Sequence, residues 1–217
     1  MKISPKIIEA AILNKNMSLE SIYKYIDDVA LLGIKGICFP SSFADSVELC
    51  EFIEDSSYRN KFDIIGVVGY PNGDTSIGAK LAEIADLCGF ASILDIVINP
   101  IYVQSAMWDC TRAELIEIFL STNAEIRWII ETPTLADKQI TTVTNLILET
   151  GGNIKTASGT KGDTKSDHVL LIRDIIKKSG KNIMIKAAGG VKTNTIAESL
   201  VFAGADILGC SGPSLIL

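Results

Sequence analysis

Short runs of β-branched and aliphatic residues alternate along the chain with segments whose apolar positions return every three or four residues. The runs predict strands near Ile7–Leu13, Gly33–Phe39, Phe62–Gly69, Ser92–Ile98, Ile126–Glu131, Gly152–Thr156, Asn182–Ala187 and Asp206–Gly209. The periodic segments predict helices over Leu19–Leu32, Ser42–Ser56, Ser76–Cys88, Arg112–Ser121, Asp137–Thr150, Ser166–Ser179 and Asn194–Ala203. In the first helix Ser18 stands where an N-cap belongs, and Ile22, Ile26, Val29 and Ala30 fall on one face. Gly33, Gly89, Gly151 and Gly204 each follow a helical segment, where a C-terminal glycine is expected.

Strand and helix alternating eight times in 217 residues predict an α/β fold, a single (β/α)8 TIM barrel occupying residues 1–217 as one domain. An open doubly wound sheet would call for Gly-x-Gly-x-x-Gly after the first strand, and the chain has none there. Only Ser211–Leu217 follow the last strand, too few for a full closing helix. A shortened C-terminal end is therefore expected, covered by a second copy in a homodimer or by chain beyond these residues.

Composition narrows the function. The hydrophobic fraction of 47% and charged fraction of 21% suit a soluble globular protein. The net charge of −6, with no basic run, excludes nucleic acid as the expected partner. Glu9 interrupts the apolar amino-terminal stretch, so no signal peptide is expected. Between Gly89 and Trp108 the only charge is Asp95, but Asn99-Pro100 and Gln104 divide that stretch, and no membrane span is predicted. The five cysteines are an odd count without a CxxC. They read as reduced, mostly buried thiols of a cytoplasmic protein rather than disulfides or zinc ligands. The single histidine, His168, opens a predicted helix and is expected at the surface, so neither Ser-His-Asp hydrolysis nor a metal site is foreseen.

The chemistry concentrates at strand ends, where a barrel places its active site. Collecting those positions gives Glu9 or its neighbours, Cys38, Tyr70, Asp95, Asn99, Glu131, Lys155, Lys186 and Ser211. Lys155 and Lys186 each end an apolar run and are followed closely by glycine, in Asn153-Ile154-Lys155-Thr156-Ala157-Ser158-Gly159 and Ile185-Lys186-Ala187-Ala188-Gly189-Gly190. A cation is costly to bury, and two that converge favour the neutral, nucleophilic form of an amine. Asp95, inside the apolar run Ile93–Ile98, needs a buried partner, and the two lysines are the candidates. Gly159, Gly189, Gly190 and Ser211-Gly212 sit where barrels often present backbone N–H groups to phosphate, although each glycine alone fits an ordinary turn.

These motifs, with Leu94-Asp95-Ile96-Val97-Ile98-Asn99, Ile37-Cys38-Phe39-Pro40, Val68-Gly69-Tyr70-Pro71-Asn72-Gly73 and Ile129-Ile130-Glu131-Thr132, resemble those of the deoxyribose-phosphate aldolase family in the same order. The resemblance implies a carbon–carbon lyase needing no metal or organic cofactor, acting on small phosphorylated sugar and aldehyde substrates. By resemblance Lys155 forms the Schiff base, Lys186 is its cationic neighbour and Asp95 relays protons with a bound water. Gly159, Gly189, Gly190 and Ser211 hold the phosphate, and Cys38 joins the substrate-binding set. The chain departs from the family at Glu9-Ala10-Ala11, where Asp-His-Thr or Asp-Leu-Thr is usual, and at Ala157-Ser158-Gly159-Thr160. None of these removes a catalytic group, and they leave open another phosphorylated sugar as substrate. A non-catalytic sugar-phosphate-binding barrel is the alternative from a different class.

Overall fold

The computed structural model describes residues 2–13, 16–55, 58 and 60–217. Eight parallel strands pair in chain order, and the eighth returns to the first to close a barrel. They are β1 (Ile8–Ala11), β2 (Gly36–Pro40), β3 (Asp63–Val68), β4 (Ile93–Val97), β5 (Glu125–Ile129), β6 (Asn153–Lys155), β7 (Ile185–Ala188) and β8 (Ile207–Cys210). Between them run α1 (Leu19–Leu31), α2 (Val47–Glu54), α3 (Ile77–Asp86), α4 (Pro100–Gln104), α5 (Trp108–Phe119), α6 (Asp137–Thr150), α7 (Ser166–Ser179) and α8 (Asn194–Phe202). The expected (β/α)8 barrel is what forms. Beyond β8 the described chain makes a single 3-10 turn, Pro213–Leu215, in place of a helix.

Local signals explain most boundaries. Ser18 accepts from the Ser21 N–H and Ser76 from Ala79, each satisfying a donor that a first helical turn leaves open. Gly33, Gly89, Gly151 and Gly204 all have positive φ, as helix-ending glycines do. The segment predicted as one helix from Ser42 instead begins as a 3-10 turn, Ser41–Asp45, because Ser46 caps a new start by accepting from Leu49. Its predicted end, Ser56, lies outside the described residues. The helix expected from Arg112 starts earlier, at Trp108, after a separate turn of helix that Asn99 caps. His168 is buried rather than exposed. Of the five cysteines, which are all free, only Cys38 and Cys210 are buried; Cys50 and Cys110, on α2 and α5, are partly buried, and Cys88, just past α3, is exposed.

Two apolar regions hold the barrel. The larger lies between strands and helices, from Ile8 and Ile37 through Trp128 and Ile154 to Leu208. The smaller is inside the barrel, where Cys38, Ile65, Val67 and Ile93 pack together on the β2–β4 side. The rest of the interior is charged, filled by Glu9, Asp95, Arg127, Lys155 and Lys186. Glycine makes room in both parts: a Cβ on Gly209 would stand 3.0 Å from Lys186 Cε, and one on Gly36 would stand 2.7 Å from Ile65 Cδ1 of the apolar side.

A second buried ion pair braces the barrel from outside. Lys80 of α3 reaches Glu114 of α5 at 2.5 Å and donates to the Val97 carbonyl at 2.7 Å. Glu114 in turn accepts from the Asn99 N–H at 3.0 Å, which ties both helices to the end of β4. Breaking such a pair strands a buried charge. We expect Lys80→Met to lower unfolding stability by about 3–5 kcal/mol, and the apolar double variant Lys80→Met/Glu114→Leu to recover much of it. Chemical denaturation of the three proteins checks this, and equal stability of the single and double variants would refute the pairing argument.

Candidate active site

Strand register brings the lysines together. Lys155 of β6 and Lys186 of β7 are direct partners across adjacent strands, so both side chains enter the interior at one level. Asp95 reaches them from β4. Its Oδ2 accepts from Lys155 Nζ at 3.0 Å and from Lys186 Nζ at 2.6 Å. Lys186 Nζ also lies 2.6 Å from Glu9 Oε2 on β1. Glu9 accepts from Arg127 Nη1 through both oxygens, at 2.8 and 2.7 Å. All five residues are at most 3% exposed.

Two carboxylates inside the barrel thus sit among Lys155, Lys186 and Arg127, and Glu125 at the rim supplies a third negative group, 2.8 Å from Arg127 Nε. Burial disfavours an ionised Asp95, but Lys155, Lys186 and Arg127 outweigh it and hold the carboxyl well below the usual range. Burial likewise opposes a charged Lys186, yet Asp95 and Glu9 push its pKa above the ordinary lysine value. Lys186 is therefore a fixed ammonium ion at neutral pH. Asp95 Oδ1 and Arg127 Nη2 make no hydrogen bond among the described residues, although Asp95 Oδ1 lies 4.0 Å from Arg127 Nη1.

Above this cluster opens a cavity of ≈ 290 Å³ whose wall includes Lys155, Lys186, Glu9, Cys38 and Tyr70. Gly159 after β6, Gly189 and Gly190 after β7 and Ser211 after β8 line its other side. The N–H groups of those three glycines donate to no acceptor among the described residues. Neighbouring loops fix the glycines in place. Thr164 N–H donates to the Gly189 carbonyl at 3.0 Å, and Thr156 Oγ1 donates to the Ala188 carbonyl at 3.1 Å. Glu131, at φ 58, accepts from both the N–H and the hydroxyl of Ser158. Tyr70 closes the same loop by donating to the Ser158 carbonyl at 3.2 Å.

A cavity of ≈ 1490 Å³ lies at the opposite end of the barrel, lined by residues such as Lys35, Asp63 and Ala124 near the starts of β3 to β5. Its ionic groups are partly exposed and pair locally, as Lys35 does with Asp63. The smaller cavity carries the buried amines and free N–H donors, and it is the candidate site.

The structure gathers Lys155, Lys186, Gly159, Gly189, Gly190, Ser211 and Cys38 at one cavity, with Asp95 beneath it. Cys38 sits low in the wall, its Sγ 3.8 Å from Asp95 Oδ2. Asn99, gathered with the strand ends, is not there; its side chain caps α4. Arg127 escaped the sequence reading, although a lone cation within Ile126-Arg127-Trp128-Ile129 carried the same signal as Asp95. The bond from Ser158 to Glu131 had no sequence signal, because it joins loops 27 residues apart.

No protein-family model matches the chain. It is nonetheless similar along almost its whole length to curated deoxyribose-phosphate aldolases. The one from Clostridioides difficile is 29% identical, with 100% of this chain and 96% of the relative covered. That of Caldanaerobacter subterraneus is 26% identical, covering 95% and 88%. A solved structure described as QR15, an aldolase, superposes with a TM-score of 0.88 at 29% identity, covering 100% of this chain and 95% of that one. A deoxyribose phosphate aldolase from Aeropyrum pernix, described as tetrameric, shares the fold at 21% identity and a TM-score of 0.84, covering 98% and 88%. The family resemblance read from the motifs therefore extends over the chain, and these relatives support an aldolase, a carbon–carbon lyase.

Burial, and then the charge of Asp95, push the Cys38 thiol up to about 11. A raised folded pKa favours the protonated native state, so this contribution is complete below about pH 9 and lost as pH rises towards 11. We expect stability to fall across that window, with Cys38 responsible for on the order of 2–3 kcal/mol. Urea titrations at successive pH values check it: Cys38→Ala should decline less steeply than the parent above pH 9.

Proposed function

We propose that the chain is a class I aldolase that cleaves 2-deoxy-D-ribose 5-phosphate reversibly to acetaldehyde and D-glyceraldehyde 3-phosphate through a Schiff base on Lys155. The observation that carries this reading is the sharing of Asp95 Oδ2 by two buried lysines, beneath a cavity lined by glycines with free N–H groups. Residues 1–217 act as one barrel domain. Five free thiols suit a reducing compartment, and we place the protein in the cytoplasm.

The amine of Lys155, once it has shed its proton, adds to the aldehyde carbon of the open-chain sugar. The carbinolamine loses water to give an iminium ion. Lys186, held as an ammonium ion by two carboxylates, keeps positive charge beside it and disfavours reprotonation of the nucleophile. The iminium accepts the electron pair of the bond between the second and third carbons. That bond breaks as the hydroxyl on the third carbon gives up its proton, and glyceraldehyde 3-phosphate leaves. The enamine that remains takes up a proton, and water hydrolyses the imine to acetaldehyde and free Lys155. Asp95 relays protons with a water through Oδ1, since Oδ2 is occupied by both lysines.

The phosphate lies against the free N–H groups of Gly159, Gly189 and Gly190, with Ser211 at the edge. A charge-assisted hydrogen bond contributes about 1.5–3 kcal/mol. Two such contacts favour the phosphorylated sugar by on the order of 10²-fold or more in kcat/KM. Ala10 and Ala11 line the cavity without a hydroxyl, which makes another phosphorylated sugar the runner-up substrate.

Lys155→Ala should fold normally, lose aldol cleavage and lose covalent labelling by borohydride with substrate. Labelling that persists in this variant, on a peptide containing Lys186, would move the nucleophile to Lys186. The phosphate assignment is tested separately. Gly190 is unsuited to substitution, since φ is +76° and a Cβ would fall on the Asp163 carboxyl. Ser211→Asp instead places a carboxylate at the cavity edge. It should remove most of the preference for 2-deoxyribose 5-phosphate over 2-deoxyribose while sparing imine formation with acetaldehyde. Equal kcat/KM for both sugars in the unmodified protein would leave the glycines as turns only.

A further inference from the structure

Glu9 and Arg127 supply two of the five buried charges; the aldol chemistry described above uses Glu9 only as a counter-ion of Lys186 and does not use Arg127. Their geometry is nevertheless tightly determined. Arg127 Nη1 bisects the Glu9 carboxylate, while its Nε donates to Glu125 Oε1 at 2.8 Å. Glu125 is steadied in turn by Asn153 Nδ2 at 3.2 Å. The guanidinium is thus fixed by β1 on one side and by its own strand on the other. The Glu9 carboxylate so held sits on Lys186 at 2.6 Å, the same distance that separates Lys186 from Asp95.

We propose that Glu9 and Arg127 are positioning residues, a salt bridge that holds Glu9 against Lys186 so that the second ammonium stays beside the nucleophile without drawing Asp95 away from it. The proposal rests on the reading of Lys155 as the imine-forming amine. Without Glu9, Lys186 would depend on Asp95 alone, and the one carboxylate shared with Lys155 would be pulled to the stronger demand. Without Arg127, Glu9 would be a buried carboxylate competing for Lys186. The groups facing the two lysines are Glu9 from β1, Cys38 from β2, Asp95 from β4, Arg127 from β5 and Cys210 from β8. Tyr70 and Glu131 stand farther out on the loops.

Signs follow from charge. Glu9→Gln removes a negative charge and should move the acid limb of the kcat profile to lower pH by about one unit. Arg127→Met removes a positive charge and should move it up by a similar amount. The double variant cancels the two changes and should return the limb to within a few tenths of a unit. In all three, kcat should fall about tenfold or more while KM stays within about twofold, because the glycine loops are untouched.

The experiment measures pH profiles of kcat and KM with 2-deoxyribose 5-phosphate, alongside borohydride trapping with acetaldehyde. Either single variant can fail to fold because it strands a buried charge, but the double variant strands none. Parental kcat in the double variant, or unshifted acid limbs in the folded single variants, would overturn the proposal. Loss of thermal stability with unchanged profiles would also overturn it, since that marks a structural pair alone. Failure of the unmodified protein to be trapped at all would instead sink the aldolase reading.

Discussion

Asp95 Oδ2 carries two lysines at hydrogen-bond distance in the buried interior, and the rest of the barrel is arranged around that demand. An isolated ion there would carry a desolvation cost of several kcal/mol, so each charge must find an opposite one. The solution is a chain of alternating signs running from Lys155 through Asp95, Lys186, Glu9 and Arg127 to Glu125, whose side chain is 36% exposed. Each link comes from a different strand except the last, and the closed barrel is what sets them at contact distance.

The division of the interior follows from the same constraint. Cys38, Ile65, Val67 and Ile93 fill the β2–β4 side, whereas long charged side chains occupy the opposite side. Those side chains need volume, and glycine at position 209 of β8 supplies it next to Lys186. Lys155 and Lys186 of that charged half line the cavity.

Stability of the site loops comes from outside the charged cluster. Glu131 holds Ser158 through two bonds, and Lys80 with Glu114 anchors the end of β4 from behind. These contacts explain why residues remote from the lysines are buried and paired.

The sequence by itself determined the order of elements, because period-two and period-3.6 patterns with serine caps and terminal glycines are local signals. It likewise exposed Lys155, Lys186 and Asp95, since a charge inside an apolar run is costly unless partnered, wherever the partner lies. The same rule holds for Arg127 within the apolar run Ile126–Ile129. The helix start at Val47 was misplaced because a cap four residues inside an apolar pattern does not disturb the pattern, and the start at Trp108 because its N-cap, Met107, offers no capping side chain to mark it. Only tertiary structure decided that Glu9 meets Arg127 118 positions away, that Asn99 serves a helix cap, and that Glu131 grips the Ser158 loop. Those choices depend on strand register and barrel closure, which set distances between residues that no local pattern connects.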